Sequence, residues 1–250
     1  CRDQAKLRDI VPENRRRTYQ IRRAIEVLAD EDSFIELRRG YGPGVITGFL
    51  RLEGKAIGLI ANNCMHLAGA VDAEAAEKAA RFLQLCDAFE LPILSLTDTP
   101  GFMVGPESDA QAAVRRMSSF FVSFASVTVP IVAIVLRKGY GLGAMAMTGG
   151  SFHSPVYIAA WPTGDFGGLG LEGAVKLGYK KELAAVEDEV ERQALFDKLV
   201  AKMYEIGKAS EAAAHLEIDA VIDPADTREV ILKAIHSAPR PKRSRRQRRT

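Results

Sequence analysis

The chain has 250 residues, 47% apolar and 26% charged, enough for one large domain with its own core. No apolar run reaches the roughly 18 residues that a membrane-spanning helix needs. Net charge is +2, but seven Lys/Arg crowd into Arg240–Thr250 with no acid among them; taking those seven away leaves −5 for the body, which argues against nucleic acid as the main partner.

The opening, Cys1-Arg2-Asp3-Gln4, is neither a signal peptide nor an initiator methionine, so the chain reads as a piece of a longer one. Residues 1–14 are polar and interrupted by proline, and read as a linker. Arg15 to Glu31 carries Tyr19, Ile21, Ile25, Val27 and Leu28 at helical spacing. Ser33 to Arg39 reads as a strand. Gly44–Leu52 and Lys55–Ala61 read as a hairpin closed at Glu53-Gly54. After a loop from Asn62 to Val71, Asp72 is a good N-cap. The helix it opens buries Ala76, Ala79, Ala80, Leu83 and Cys86.

A continuously apolar strand starts at Pro92, and Pro106 sits where a first helical residue belongs. The face of that helix is Ala110, Ala113, Val114, Met117, Phe120, Phe121 and Phe124. A second apolar strand starts at Pro130 and runs into an Ala/Met-rich helix from Gly141. Tyr157–Trp161 reads as a short strand and Gly164–Gly170 as a glycine-dense loop. The chain is then helical from Leu171 almost to Ser210, with a break near Gly178. Ala220-Val221-Ile222 is a last strand, and Asp226 or Thr227 caps the final helix. Strands apolar on both faces, alternating with helices, mean a parallel sheet in one α/β domain over residues 15–238. Residues 239–250 have no apolar periodicity and read as a basic, disordered tail.

The chemistry lies in the turns. Glycine lets backbone N–H groups approach a ligand, and a helix start aims them, partly positive, at an oxygen. Gly69-Ala70 and Gly141-Leu142-Gly143 each precede a helix, and each can supply one donor to an oxyanion. Gly141 to Ala146 also matches GxGxxA, with Asp165 about twenty residues on, but the match to a dinucleotide site is poor. Four residues separate the apolar strand from its first glycine. Close packing alone is the other reading of these glycines. Cys64 lies near His66, which suggests a Cys–His nucleophile, while Cys86 reads as a core filler. Asp98 is either a base or the cap of the turn at Pro100-Gly101. His153, His215 and His236 have no evident catalytic partner. There is no GxSxG, HExxH or P-loop. Three cysteines without a CxxC pair suit a reducing compartment, bacterial cytosol or mitochondrial matrix.

Several segments, in order, resemble one family. Thr97-Asp98-Thr99-Pro100-Gly101-Phe102-Met103-Val104-Gly105 resembles the DxPGF-x-x-G signature of biotin-dependent acyl-CoA carboxyltransferases. Gly58 to Asn63, Ala75 to Phe82, Cys86 to Phe89, Arg137 to Gly141 and Ala160-Trp161-Pro162-Thr163 are similar to further motifs of that family. The resemblance covers about residues 10 to 235 and is to the C-terminal half. It implies a crotonase-like fold, a spiral of ββα units, and a carboxybiotin site completed at a dimer interface by an N-terminal half that binds acyl-CoA. It also implies a biotin carboxyl carrier domain, a biotin carboxylase and a homo-oligomer as partners. The turn Gly141, Leu142, Gly143 and Ala144, together with Gly69 and Ala70, then supplies backbone donors. Gly101, Phe102, Tyr140 and Met145 then lie against the cofactor. Three features depart from the pattern. The donor pair falls on Leu142-Gly143 or, with a one-residue shift, on Gly143-Ala144. Met145 replaces an acidic residue that helps select the acyl chain, which fits a longer acyl group. Asn62-Asn63-Cys64 replaces the family's "NQP". A self-contained crotonase-type hydratase or decarboxylase, with Glu172 the nearest candidate base, and a non-catalytic assembly relative are the alternatives.

Overall fold

The fold is given by a computed structural model, which describes residues 1–15, 17–103 and 113–239. Pro106, Ala110 and the tail from Arg240 lie outside the described residues. The sheet begins as a hairpin, β2 (Val45–Leu52) and β3 (Lys55–Asn62), with β1 (Ile35–Leu37) antiparallel along its outer edge. At its turn Glu53 and Gly54 have φ of 49° and 75°, the left-handed pair that a two-residue hairpin turn requires. The Asp30 carboxylate accepts from both their amides, at 3.1 and 2.8 Å.

From β3 onward the sheet is parallel. It continues through β4 (Ile93–Thr99), β5 (Ile131–Tyr140), β6 (Tyr157–Ala160) and β8 (Ala220–Val221), while β7 (Asp165–Gly167) lies along the last residues of β5. Parallel strands need helical crossovers. Helix α2 (Ala73–Ala88) joins β3 to β4, α3 (Ala113–Ser126) precedes β5, and α4 (Gly141–Met147) follows it.

Both faces of β4 and β5 are covered, so their continuous apolar runs are explained by burial. On one side α2 presents Ala75, Ala76 and Ala79, small enough to bring Phe82 and Leu83 onto the sheet beside Phe120 and Phe124 of α3. Asp72 caps α2 by accepting from Ala75 N at 2.8 Å. On the other side α1 (Ile21–Leu28) and α9 (Thr227–Ser237) place Ile21, Ile25, Leu28 and Ile231 against Leu59, Leu94 and Ile134. Each such buried side chain contributes about 1.5–3 kcal/mol.

Several elements differ from the sequence reading. Residues 1–14 are not a polar linker. Gln4–Asp9 forms a 3-10 helix with Leu7 fully buried, and Arg8 pairs with Asp223 at 2.7 Å. The first α-helix starts at Ile21 rather than Arg15, although Tyr19 is buried. The long helical stretch divides into α5 (Leu171–Gly178), α6 (Lys180–Ala184), α7 (Glu189–Ile206) and α8 (Ala209–Ala214). It breaks at Gly178 as expected and again before Asp188, whose carboxylate caps α7 through Glu191 N at 2.8 Å. Val114 is exposed at the start of α3 instead of facing the core. Neither Asp226 nor Thr227 caps α9 with its side chain. Asp223 caps the preceding 3-10 turn, and the Thr227 hydroxyl accepts from Trp161 Nε1 at 2.9 Å.

Candidate functional site

The C-terminal ends of β4 and β5 lie side by side and both end in glycine turns. After β4, Thr99 Oγ1 accepts from Gly101 N at 3.1 Å, and Gly101 takes φ +122°. Its carbonyl accepts from Val71 N at 3.0 Å, which ties this turn to the segment before α2. After β5, Gly141 takes φ +57° and opens α4.

The α4 turn is wedged between two backbones. A Cβ on Gly141 would lie 2.7 Å from the Gly168 carbonyl oxygen, and one on Gly143 would lie 2.6 Å from the Gly101 carbonyl carbon. Gly141 thus lies against Gly168, and Gly143 against Gly101 and Phe102, with the Leu142 side chain exposed outside. Tyr140 is the N-cap of α4, so the Ala144 amide has the Tyr140 carbonyl one turn earlier, whereas the amides of Leu142 and Gly143 have no carbonyl within the helix to receive their hydrogens. An oxygen arriving there meets those hydrogens and the positive end of the helix.

The Gly69-Ala70 turn behaves differently from the sequence reading. Gly69 N donates to the His66 carbonyl at 2.9 Å and Ala70 N to that of Leu67 at 3.0 Å. Both amides are committed within their own 3-10 turn, which Leu67 and Ala68 close in left-handed conformations. Gly69 is needed for packing, because a Cβ there would fall 2.2 Å from the Asp98 carbonyl oxygen.

Two cavities flank the α4 turn. A mainly apolar one of about 760 Å³ is lined by Met145, Phe152, Phe166 and Ile206, together with Glu205, Glu211, His215 and Glu217. A second of about 540 Å³ is lined by charged and phenolic side chains, among them Arg15, Lys138, Tyr140, Asp165, Glu172 and Tyr204. Met145 thus lies on the first cavity and Tyr140 on the second. Burial and the nearby Asp165 carboxylate push the Tyr140 phenol up. Burial raises Asp165 to about 6, although Arg15 lies 3.6 Å away. The Tyr204 hydroxyl donates to Glu172 at 2.9 Å, so Glu172 is not a free base.

The other candidates fall out by geometry. Asp98 does not cap the Pro100-Gly101 turn; Thr99 does. Its carboxylate is buried and accepts from Arg137 Nε at 3.0 Å and from the Lys138 amide at 3.1 Å. The Cys64 thiol is buried 3.2 Å from Asp98 Oδ2, and burial with that carboxylate pushes it far up. His66 meets Asp72 instead of Cys64, at 3.3 Å, so there is no Cys–His pair. Cys86 is the expected core filler, and burial raises it to about 12. Asp165, raised as the acidic member of a dinucleotide pattern, is a buried partner of Arg15. The sequence reading missed the set Asp98, Arg137 and Lys138; two consecutive basic residues ending an apolar strand were the available signal. Among the described residues no helix is long and apolar enough to cross a membrane.

The carboxyl transferase domain family matches residues 1–250. The chain belongs to that family. This carboxyl transferase domain is 37% identical to the biotin-dependent acetyl-/propionyl-coenzyme A carboxylase beta6 subunit of Mycobacterium tuberculosis over 232 residues, 92% of this chain and 49% of that protein. It is 33% identical to the methylmalonyl-CoA carboxyltransferase 12S subunit of Propionibacterium freudenreichii subsp. shermanii, covering 92% of this chain and 43% of the relative. The chain thus spans about half the length of the relatives it matches. Among solved structures, a single-chain, multi-domain long-chain acyl-CoA carboxylase matches with TM-score 0.86 and 55% identity, over 93% of this chain and 23% of that one. The transcarboxylase 12S hexamer, with methylmalonyl-CoA bound, matches with TM-score 0.87 and 31% identity, over 97% of this chain and 47% of that one. The fold is accordingly the crotonase-like one that the sequence motifs implied.

Proposed function

We propose that this chain is the carboxybiotin-binding half of a biotin-dependent acyl-CoA carboxyltransferase. The observation that carries the reading is the α4 turn, whose Leu142 and Gly143 amides have no partner within the helix, pressed between the Gly101 and Gly168 backbones beside a mainly apolar cavity. A flat, urea-like ring suits such a place, because its oxygen needs converging N–H donors and its ring needs an apolar wall. The amides of Leu142 and Gly143, or of Gly143 and Ala144, hold that oxygen, while Gly101 and Phe102 close the site from the β4 side. Biotin, when bound, supplies the ring nitrogen that carries the carboxyl group in activated form. The chain's part is to orient that ring, to place partial positive charge where negative charge develops, and to keep water out.

The acyl-CoA is held by an N-terminal half, and carboxybiotin arrives on a carrier domain loaded by a biotin carboxylase. The hexameric assembly of the transcarboxylase 12S relative supports a homo-oligomer here. The substrate we favour has a long acyl chain. Met145 with Phe152 and Phe166 makes the wall beside the turn apolar, and the 55%-identical structure is that of a long-chain acyl-CoA carboxylase. The test is decarboxylation of malonyl-CoA and of long-chain malonyl-CoA homologues with free biotin as acceptor, on the intact protein and on this chain alone. Biotin-dependent turnover by the intact protein only is the expected result. Biotin-independent turnover by this chain alone would overturn the proposal and move the acyl-CoA site into it.

A further inference from the structure

The pairing of β4 with β5 is regular from Ile93 opposite Ile131 to Thr97 opposite Val135, and then breaks. The next pair is Thr99 opposite Gly139, so β5 spends three residues, Leu136, Arg137 and Lys138, where β4 spends only Asp98. Such a bulge bends the strand and leaves backbone groups without ladder partners. This one lies immediately before Gly139-Tyr140-Gly141, the entry to the α4 turn.

Asp98 fills the gap. Its Oδ1 accepts from the Lys138 amide at 3.1 Å, a donor taken by a side chain rather than by the neighbouring strand. Lys138 Nζ stands 3.5 Å from the same oxygen and donates to the Ala68 carbonyl at 2.5 Å. Oδ2 accepts from Arg137 Nε at 3.0 Å, and the Arg137 guanidinium also donates to the Arg17 carbonyl at 2.8 Å. Behind Asp98, its own amide donates to Asn62 Oδ1 at 3.0 Å, and Asn62 Nδ2 donates to the Gly69 carbonyl at 3.3 Å. One residue, 1% exposed, therefore joins the ends of β3, β4 and β5: its carboxylate reaches β5, and its amide reaches β3 and the Gly69 turn through Asn62.

We propose that Asp98 is the positioning residue of the α4 turn: by accepting the Lys138 amide it holds the β5 bulge, and through the bulge it sets where the amides of residues 142–144 point. Arg137 keeps that carboxylate in place, and neither residue touches substrate. The proposal rests on the assignment of the α4 turn to transfer, and the role is geometric, so the acceptor atom at Lys138 matters more than the charge. Asp98→Asn keeps an oxygen of the same reach, whereas Asp98→Ala removes it; both lose the ion pair with Arg137.

The experiment compares the two variants in the intact protein by biotin-dependent decarboxylation, with turnover expressed per folded enzyme. We expect Asp98→Asn to stay within about tenfold of the parent in kcat and Asp98→Ala to lose about 100-fold, the scale for a misplaced catalytic group. KM for the acyl-CoA should be unchanged in both. Equal kcat in the parent and Asp98→Ala, or an effect on KM alone, would overturn the proposal. Hydrogen exchange at the Lys138 amide keeps the test decisive should Asp98→Ala not fold. In Asp98→Asn its protection and kcat must fall, or hold, together, and a change in one without the other would overturn the clamp. A parent protein with no biotin-dependent activity would defeat the assignment of function, while protection of the Lys138 amide would still report on the clamp.

Discussion

Replacing Gly143 with alanine gives the most direct test of how tightly the α4 turn is wedged. The sequence alone suggests that even valine there would block an oxygen's approach while leaving the fold nearly intact. The structure revises that expectation. The added Cβ would lie 2.6 Å from the Gly101 carbonyl carbon, 2.7 Å from its Cα and 2.9 Å from Phe102 N. Carbon atoms rest at about 3.5 Å, so the two backbones must part by nearly 1 Å. Neither neighbour is a flexible side-chain end, because Gly101 is held through Thr99 Oγ1 and the Val71 amide. Overpacking of this kind costs about 1–3 kcal/mol, or roughly 2–12 °C in Tm for a chain of this length. The same displacement moves the amides that meet the oxygen, so kcat should fall on the order of 100-fold. Thermal melts and biotin-dependent decarboxylation by the intact protein measure both. Gly168→Ala is the control, since a Cβ there meets nothing within 4 Å. If Gly168→Ala costs as much as Gly143→Ala, or if Gly143→Ala costs nothing, the wedge is wrong.

Met145→Asp places a carboxylate in the apolar cavity beside Phe152 and Phe166; preference should move toward shorter acyl-CoAs, and an unchanged chain-length profile would refute the cavity's role. Asp165, raised by burial to about 6 from an ordinary 3.8, is protonated in both states below pH 4, but between those values the unfolded chain gives up its proton first. Stability is therefore lost as pH rises through that window, by up to about 3 kcal/mol, and stays lost above it. Asp165→Asn should leave denaturant melts unchanged near pH 4 and raise stability by about 1–3 kcal/mol at pH 7; a difference independent of pH would refute this. Iodoacetamide at pH 8 should label exposed Cys1 and spare buried Cys64 and Cys86, leaving turnover intact. Rapid labelling of Cys64 in the native protein would contradict its burial.

Local rules explain what could be read in advance. The Glu53-Gly54 hairpin, the Asp72 cap, the alanine-lined face of α2 and the two apolar strands each depend on neighbours close in sequence. The α4 turn was also legible, because glycines after an apolar strand have few uses. Leu7 was not, since one apolar residue in a polar stretch has no period to announce it. The spent amides of Gly69 and Ala70 were hidden because Leu67 and Ala68 adopt a left-handed conformation that side chains of their type rarely take. Asp98 was misread because turn chemistry offers an aspartate before Pro-Gly a local task. Its partner Arg137 lies 39 residues away and meets it only through strand pairing.

The main-chain oxygens that hold Arg137 belong to Arg15 and Arg17, at 3.4 and 2.8 Å. The Arg15 side chain meanwhile lies over the Tyr204 ring at 3.9 Å. The stretch ahead of α1 is thus a seatbelt across the bulge that feeds the α4 turn. An expression boundary drawn at residue 18, just ahead of Tyr19 and α1, would leave the Arg137 guanidinium buried with two of its acceptors, the Arg15 and Arg17 carbonyls, gone and Asp98 remaining. It would also uncover the cavity wall formed by Arg15. Fusions, tags and domain dissections should begin upstream of Gln4, because Asn14 and Arg15 line the cavity and the buried Leu7 anchors the stretch ahead of them.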